Sequence, residues 1–205
     1  MKKLLLLATV LSVGAVAVNA QNYKNSIGLN VGTMEGLSYK GFLNQNVALV
    51  LDLGINFIKT PGLVVDIDKY DGVKEKSLTK GWTYGIWEFE FNPNIVFQKE
   101  IKSWDKVGLS WFAGAGASIG MMKPTSASYN GWSFNLSYDK VFGKWGLNAI
   151  GGMEMNFSKA PIALSLDFRP GYGMMFRTEQ KKNYTNTMLA HFFDWKIVAA
   201  VRYTF

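Results

Sequence analysis

The sequence predicts an all-β fold: a closed antiparallel transmembrane β-barrel of about eight strands, preceded by a signal peptide that is cleaved off. Three observations predict it. Residues 191–205 alternate strictly, with Phe193, Trp195, Ile197, Ala199, Val201, Tyr203 and Phe205 on one side and Asp194, Lys196, Arg202 and Thr204 on the other. A period of two is a strand with one apolar and one polar face. The same alternation returns along the rest of the chain. Finally, aromatic residues make up 15% of the chain and glycines number 21, a composition foreign to helical bundles.

The totals bound the answer further. A chain of 205 residues has room for one domain. It contains no cysteine, which excludes disulfides and thiolate metal sites. Mean hydropathy is only +0.03, too low for a helical membrane protein, whereas a barrel averages out because half of each strand is polar. The net charge of +7 is better explained by contact with anionic lipid headgroups than by nucleic acid. Residues 1–20 read as the leader: Lys2 and Lys3 form the basic region, 4–18 the apolar region, and Val18-Asn19-Ala20 a small-residue cleavage site. The apolar run is too short to cross about 30 Å of hydrocarbon as a helix. The barrel domain is therefore residues 21–205.

The first predicted strand, 27–33, sets Ile27, Leu29 and Val31 against Gly28, Asn30 and Gly32. The second, 37–43, turns Leu37, Tyr39 and Leu43 outward and Ser38 and Lys40 inward. The third, 47–57, opposes Val47, Leu49, Leu51, Leu53, Ile55 and Phe57 to Asp52, Gly54 and Asn56. The fourth, 82–97, opposes Trp87, Phe89, Phe91, Ile95 and Phe97 to Glu88, Glu90, Asn92 and Asn94, with Pro93 predicting a bulge. The fifth, 107–121, carries glycine, serine and Phe112 on its inner face. The sixth, 145–157, turns Asn148, Glu154 and Asn156 inward, and the seventh, 162–177, turns Ser165, Asp167, Arg169 and Arg177 inward. Residues 191–205 are the eighth. Connections at 44–46 and 158–160 are tight, while 59–80, 122–144 and 178–190 read as long polar loops, the asymmetry of outer-membrane barrels. The first outer connection, 34–36, is anomalously short. Residues 132–138 alternate like one more strand and leave ten strands open.

Alternation alone does not say which face is inside, since a soluble ligand-binding barrel alternates too. The fifth strand decides it. A face of glycine and serine is a poor solvent face and a good fit to a narrow lumen. Turning lysine or arginine to the lipid side costs about 2–4 kcal/mol at mid-membrane, so register is strongly specified.

The leader, Gly36-Leu37-Ser38-Tyr39-Lys40, Leu166-Asp167-Phe168-Arg169-Pro170 and the ending Val201-Arg202-Tyr203-Thr204-Phe205 together resemble the small outer-membrane β-barrels of Gram-negative bacteria, a class that includes outer-membrane protein X and the opacity-type adhesins. The resemblance implies a monomer in the outer membrane, in contact with its lipid and lipopolysaccharide. It also implies that Val201, Tyr203 and Phe205 are the signal read by the barrel-assembly machinery.

The candidate constellation is a network of lumen charges: Lys40, Asp52, Glu88, Glu90, Glu154, Asp167, Arg169, Lys196 and Arg202. Lys40, Glu154 and Arg202 fall low in the barrel and the other six nearer mid-height. Opposite signs at one depth should pair, because an isolated buried charge is very costly. A polar plug is the expected role, with a gate or small-ion pore as the alternative. No catalytic residue, metal site or cofactor is expected. His191 is followed by Phe192-Phe193-Asp194, so it lacks the nearby serine of the lipid A deacylases, the enzyme alternative. The segment 66–72 is superficially like a calcium loop, but Asp71 stands where the turn glycine belongs and Ser77 where the closing glutamate belongs.

Overall fold

A computed structural model describes residues 23–70, 73–129, 132–135, 141–181 and 184–205. The leader predicted at 1–20 lies outside them. The described strands are β1 (Asn25–Gly32), β2 (Met34–Phe42), β3 (Val47–Tyr70), β4 (Val73–Ser103), β5 (Val107–Tyr129), β6 (Trp132–Asn135), β7 (Phe142–Phe157), β8 (Ile162–Lys181) and β9 (Tyr184–Thr204).

The strands close on themselves. Antiparallel pairing runs β1-β2-β3-β4-β5-β7-β8-β9 and back to β1, a ring of eight. Among the described residues β6 pairs with the far end of β5, from Ser126↔Asn135 to Tyr129↔Trp132, and enters no ring position. Of the extra alternation at 132–138, residues 132–135 thus pair back onto β5 and add no wall strand, and 136–138 lie outside the described residues.

Closure follows from the alternation. Leu29 (59% exposed), Leu147 (60%) and Leu166 (58%) point out of the ring, while their polar neighbours Asn30, Asn148 and Asp167 are buried inside it. At one end the connections are tight. Asn44 Oδ1 accepts from the backbone N–H groups of Asn46 (2.9 Å) and Val47 (2.8 Å), which fixes the β2–β3 turn. Trp104 N donates to Val107 O at 2.9 Å in the β4–β5 turn.

At the other end the three stretches expected to be long loops are largely ladder. β3 and β4 stay paired from Val47↔Phe97 to Tyr70↔Val73, and β8 and β9 from Ile162↔Tyr203 to Lys181↔Tyr184. The β1–β2 hairpin, by contrast, stops at Thr33. Gly32 takes φ +126°, a left-handed conformation that glycine enters without steric cost. The Thr33 hydroxyl then stands in for a ladder partner, accepting from Ile197 N at 2.9 Å. Above that low point β3 and β9 pair directly, from Gly62↔Phe192 to Tyr70↔Tyr184. From Gly62 and Phe192 onward the two strands that flank the short first connection meet over it and satisfy each other's edges.

Two local expectations are corrected. Pro93 causes no bulge: the β4–β5 register is the same at Phe91↔Ile119 and Asn94↔Gly116, and the shifts fall instead at Gly85/Ile86 and Glu100/Lys102. The carbonyl of Ala117, opposite Pro93 in that register, accepts from Asn92 Nδ2 at 2.7 Å, so a side chain supplies the hydrogen the proline lacks. The β5 glycines also answer to more than lumen width. A Cβ on Gly114 would stand 2.0 Å from the Ile95 carbonyl oxygen, and one on Gly120 2.1 Å from that of Phe89. Close approach of the β4 backbone is what demands glycine there.

Candidate functional site

All nine charged residues expected in the lumen are buried there. The inner positions of β2, β3, β4, β7, β8 and β9 deliver them, since every second side chain on a ring strand must enter the barrel. They form three tiers.

The tier near the tight turns is centred on Glu154. Its Oε2 lies 2.6 Å from Lys40 Nζ and 3.7 Å from Arg202 Nη1. Its Oε1 accepts from Gln98 Nε2 at 2.9 Å and from Tyr23 Oη at 2.6 Å. Lys40 also donates to Gln98 Oε1 and sits over the rings of Phe42 (5.1 Å) and Phe112 (5.2 Å). Arg202 also donates from Nε to Ser38 Oγ (3.0 Å) and from Nη1 to Ser165 Oγ (2.7 Å). Tyr23, just ahead of β1, closes this tier edge-on against Phe42 at 5.4 Å. Burial, reinforced by the Glu154 carboxylate, pushes its phenol up, so it remains a donor to Glu154.

In the middle tier Arg169 joins β8 to β3. Its Nη1 reaches Asp52 Oδ2 at 2.6 Å and Asn92 Oδ1 at 2.9 Å, while Nε and Nη2 take both oxygens of Asp167 at 2.6 and 3.2 Å. Asn30 Nδ2 holds the other Asp52 oxygen at 2.8 Å. An amide chain continues sideways: Asn92 donates to Asn148 (2.8 Å) and Asn148 to Asn94 (2.7 Å).

The upper tier gathers three carboxylates around Lys144. Its Nζ lies 2.8 Å from Glu88, 2.6 Å from Glu90 and 3.0 Å from Asp194. Lys196 bridges Asp194 (2.9 Å) and Glu90 (3.2 Å). Asn56 donates to Glu88, and the Phe192 ring lies 5.7 Å from the Lys144 ammonium. The six residues expected together at mid-height thus divide between two tiers. Lys144 and Asp194 complete the upper one and were not among the expected nine. Both sit at even positions in register with Asn148 and Lys196, so strand parity carried the signal. Lys144 was missed because 122–144 read as one polar loop.

Among the described interior residues six carboxylates (Asp52, Glu88, Glu90, Glu154, Asp167 and Asp194) face five cations (Lys40, Lys144, Arg169, Lys196 and Arg202). Each ion pair crosses between strands distant in sequence or braces neighbours on one strand. Chemically the arrangement is an electrostatic crosslink through the centre of the barrel.

No protein-family model and no curated protein matches the chain. Among solved structures it is similar to Ail, the attachment invasion locus protein of Yersinia pestis, at 15% identity and a TM-score of 0.28, covering 87% of this chain and 96% of that one. The same protein in complex with the heparin analogue sucrose octasulfate gives 13% identity and a TM-score of 0.28 over the same shares. The fold itself rests on the ring of strand pairings, independently of that likeness.

The other sequence candidates fall outside the lumen. His191 is on the outer face, where its Nδ1 shares a hydrogen with the Tyr172 hydroxyl, and the two rings lie 5.7 Å apart. Its ladder partners are Met174 on β8 and Leu63 on β3. Asp66 and Asp68 lie in ladder, opposite Ser77 and Glu75, instead of in a loop; Asp71 and Gly72 lie outside the described residues.

Proposed function

We propose that the chain is an integral outer-membrane β-barrel of a Gram-negative bacterium. It is exported by cleavage after residue 20, works as a monomer, and has a structural or surface-interaction role without catalytic chemistry. One observation carries this reading: the burial pattern is inverted relative to a water-soluble protein. Arg169, Lys144 and Glu88 are fully enclosed, while Leu29, Phe57, Leu147, Val201, Tyr203 and Phe205 stand exposed around the outside. Water would leave that surface aggregating, since soluble monomers rarely show apolar patches larger than a few hundred Å². Hydrocarbon is the solvent that matches it.

Val201, Tyr203 and Phe205 lie on the outer face of β9, with the last two rings stacked at 6.2 Å, available to barrel-assembly machinery before the ladder closes. Surface interaction is assigned to the β3–β4 and β8–β9 hairpins, joined through β3–β9 into one sheet beyond the rim. The pore alternative draws less support, because the lumen side chains are spent on one another. The lipid A enzyme alternative draws less still, because the histidine partners a tyrosine.

Carbonate washing of membranes and electrophoresis of boiled against unboiled protein test the reading. The expected result is retention in the membrane pellet and faster migration unboiled. Release into the supernatant with a single gel position would reject it.

A further inference from the structure

The upper tier is one positive charge short. Glu88, Glu90 and Asp194 stand against Lys144 and Lys196, and all five residues are fully buried. Among the described residues nothing around the tier makes up the difference. The lumen positions paired in the ladder with Asn56, Glu88 and Lys144 are Met34, Met122 and Met175, none of them charged. Arg169, cross-strand from Lys196, is committed to Asp52 and Asp167 in the tier below. A net charge sealed from water is costly. The smallest ligand that cancels it is a proton, which needs no cavity.

The three acids are not equivalent. Glu90 reaches both ammoniums, at 2.6 Å from Lys144 and 3.2 Å from Lys196. Asp194 does so too, at 3.0 and 2.9 Å. Glu88 is paired with Lys144 alone, and Glu90 follows two residues on along the same face of β4. Its other polar neighbour is neutral: Asn56 donates from Nδ2 to Glu88 Oε1. That bond leaves Asn56 Oδ1 and Glu88 Oε2 buried without a hydrogen-bond partner, although the Lys144 ammonium is 2.8 Å from the latter. A carboxylic acid beside a primary amide offers two complementary bonds, N–H to the acid carbonyl and O–H to the amide oxygen. Here the first bond is made, and one hydrogen would complete the second.

We propose that Glu88 and Asn56 form a binding site for one proton. A proton from solvent forms an O–H bond at Glu88 Oε2 and is shared with Asn56 Oδ1, while Asn56 Nδ2 keeps its bond to Oε1. Binding leaves two carboxylates facing two ammoniums and gives both orphan acceptors a partner. In the unfolded chain Glu88 is an ordinary carboxylate and releases the proton near neutral pH. The folded barrel then binds one proton more than the unfolded chain, so its stability rises as pH falls. The site depends only on the enclosed lumen, whichever solvent meets the outer face.

Two readouts test this on the full chain folded in maltoside micelles, which contain no ester carbonyl. At about pH 6, where free carboxylates are ionised, the infrared spectrum should show the carbonyl stretch of one un-ionised carboxyl. Glu88→Gln should lose that band, and Asn56→Leu, which removes the accepting oxygen, should weaken it. In urea, the unfolding constant of the native chain should fall relative to that of Glu88→Gln between about pH 8 and about pH 6, by up to about tenfold per pH unit, the limit for one proton. Groups that titrate in both chains cancel in this comparison. Parallel stability profiles, or no un-ionised carboxyl in the native chain, overturn the proposal. A band that survives Glu88→Gln puts the proton on another carboxyl and overturns it as well. The native spectrum is read without any variant, so it decides the matter even if neither substitution folds.

Discussion

Replacing Lys144 by methionine should destabilise the barrel far more than replacing Glu88 by glutamine, although the two side chains form one ion pair. Lys144 is enclosed with three carboxylates between 2.6 and 3.0 Å from its ammonium. Lys144→Met keeps the unbranched stem and removes the charge, leaving Glu88, Glu90 and Asp194 with Lys196 alone. Removing one partner of a buried pair typically costs about 3–5 kcal/mol, because the remaining charge is uncompensated. Glu88→Gln moves the tier the other way, from three carboxylates and two ammoniums to two of each. It also keeps an oxygen to accept from Asn56, so its cost should stay within about 1 kcal/mol. Combining the two restores the native imbalance of one negative charge, and the double variant should recover part of the Lys144→Met loss. Urea unfolding in lipid bilayers, followed by tryptophan fluorescence, measures all three. A Lys144→Met variant within about 1 kcal/mol of the native chain, or a Glu88→Gln variant as damaged as Lys144→Met, would mean that charge balance does not govern this tier.

Other consequences follow from the same geometry. Leu166→Arg places a charge on the outer face level with the Asp167–Arg169 tier and should cost about 2–4 kcal/mol in the same assay; a neutral result would mean that residue does not meet hydrocarbon. Gly114→Ala drives a methyl toward the Ile95 carbonyl and should cost about 1–3 kcal/mol by overpacking. Gly151→Ala, whose nearest new neighbour is 4.0 Å away, should leave the gel-shift midpoint temperature unchanged. If the two glycine variants behave alike, close strand approach does not explain the β5 glycines.

Much of this was legible because a two-residue period has only two phases. Once one lysine or arginine is assigned to the lumen, every residue of that strand has its face, which is how Lys40, Asp52, Glu90, Arg169 and Arg202 were placed from sequence. The division of six mid-height charges into two tiers was not legible. It depends on strand stagger around the ring, which no single strand encodes. The upper hairpins were hidden for a different reason. Residues 63–70 and 73–80 pair while their composition reads as loop; on the membrane reading proposed above, a ladder beyond the hydrocarbon needs no apolar face. Pro93 misled because the substitute donor, the Asn92 amide, comes from a side chain that alternation identifies only as polar. The short β1–β2 connection became intelligible only through long-range pairing of β3 with β9.

On the membrane reading proposed above, the outer face of β9 touches lipid tails. The chain has no cysteine, so a nitroxide can be attached to Ile197→Cys or Val201→Cys alone and its collisions with oxygen and with a water-soluble nickel chelate compared in bilayers. Frequent collisions with oxygen and protection from nickel are expected at both positions, with the reverse at Lys159→Cys on the rim. Nickel accessibility at residues 197 and 201 equal to that at 159 would contradict it.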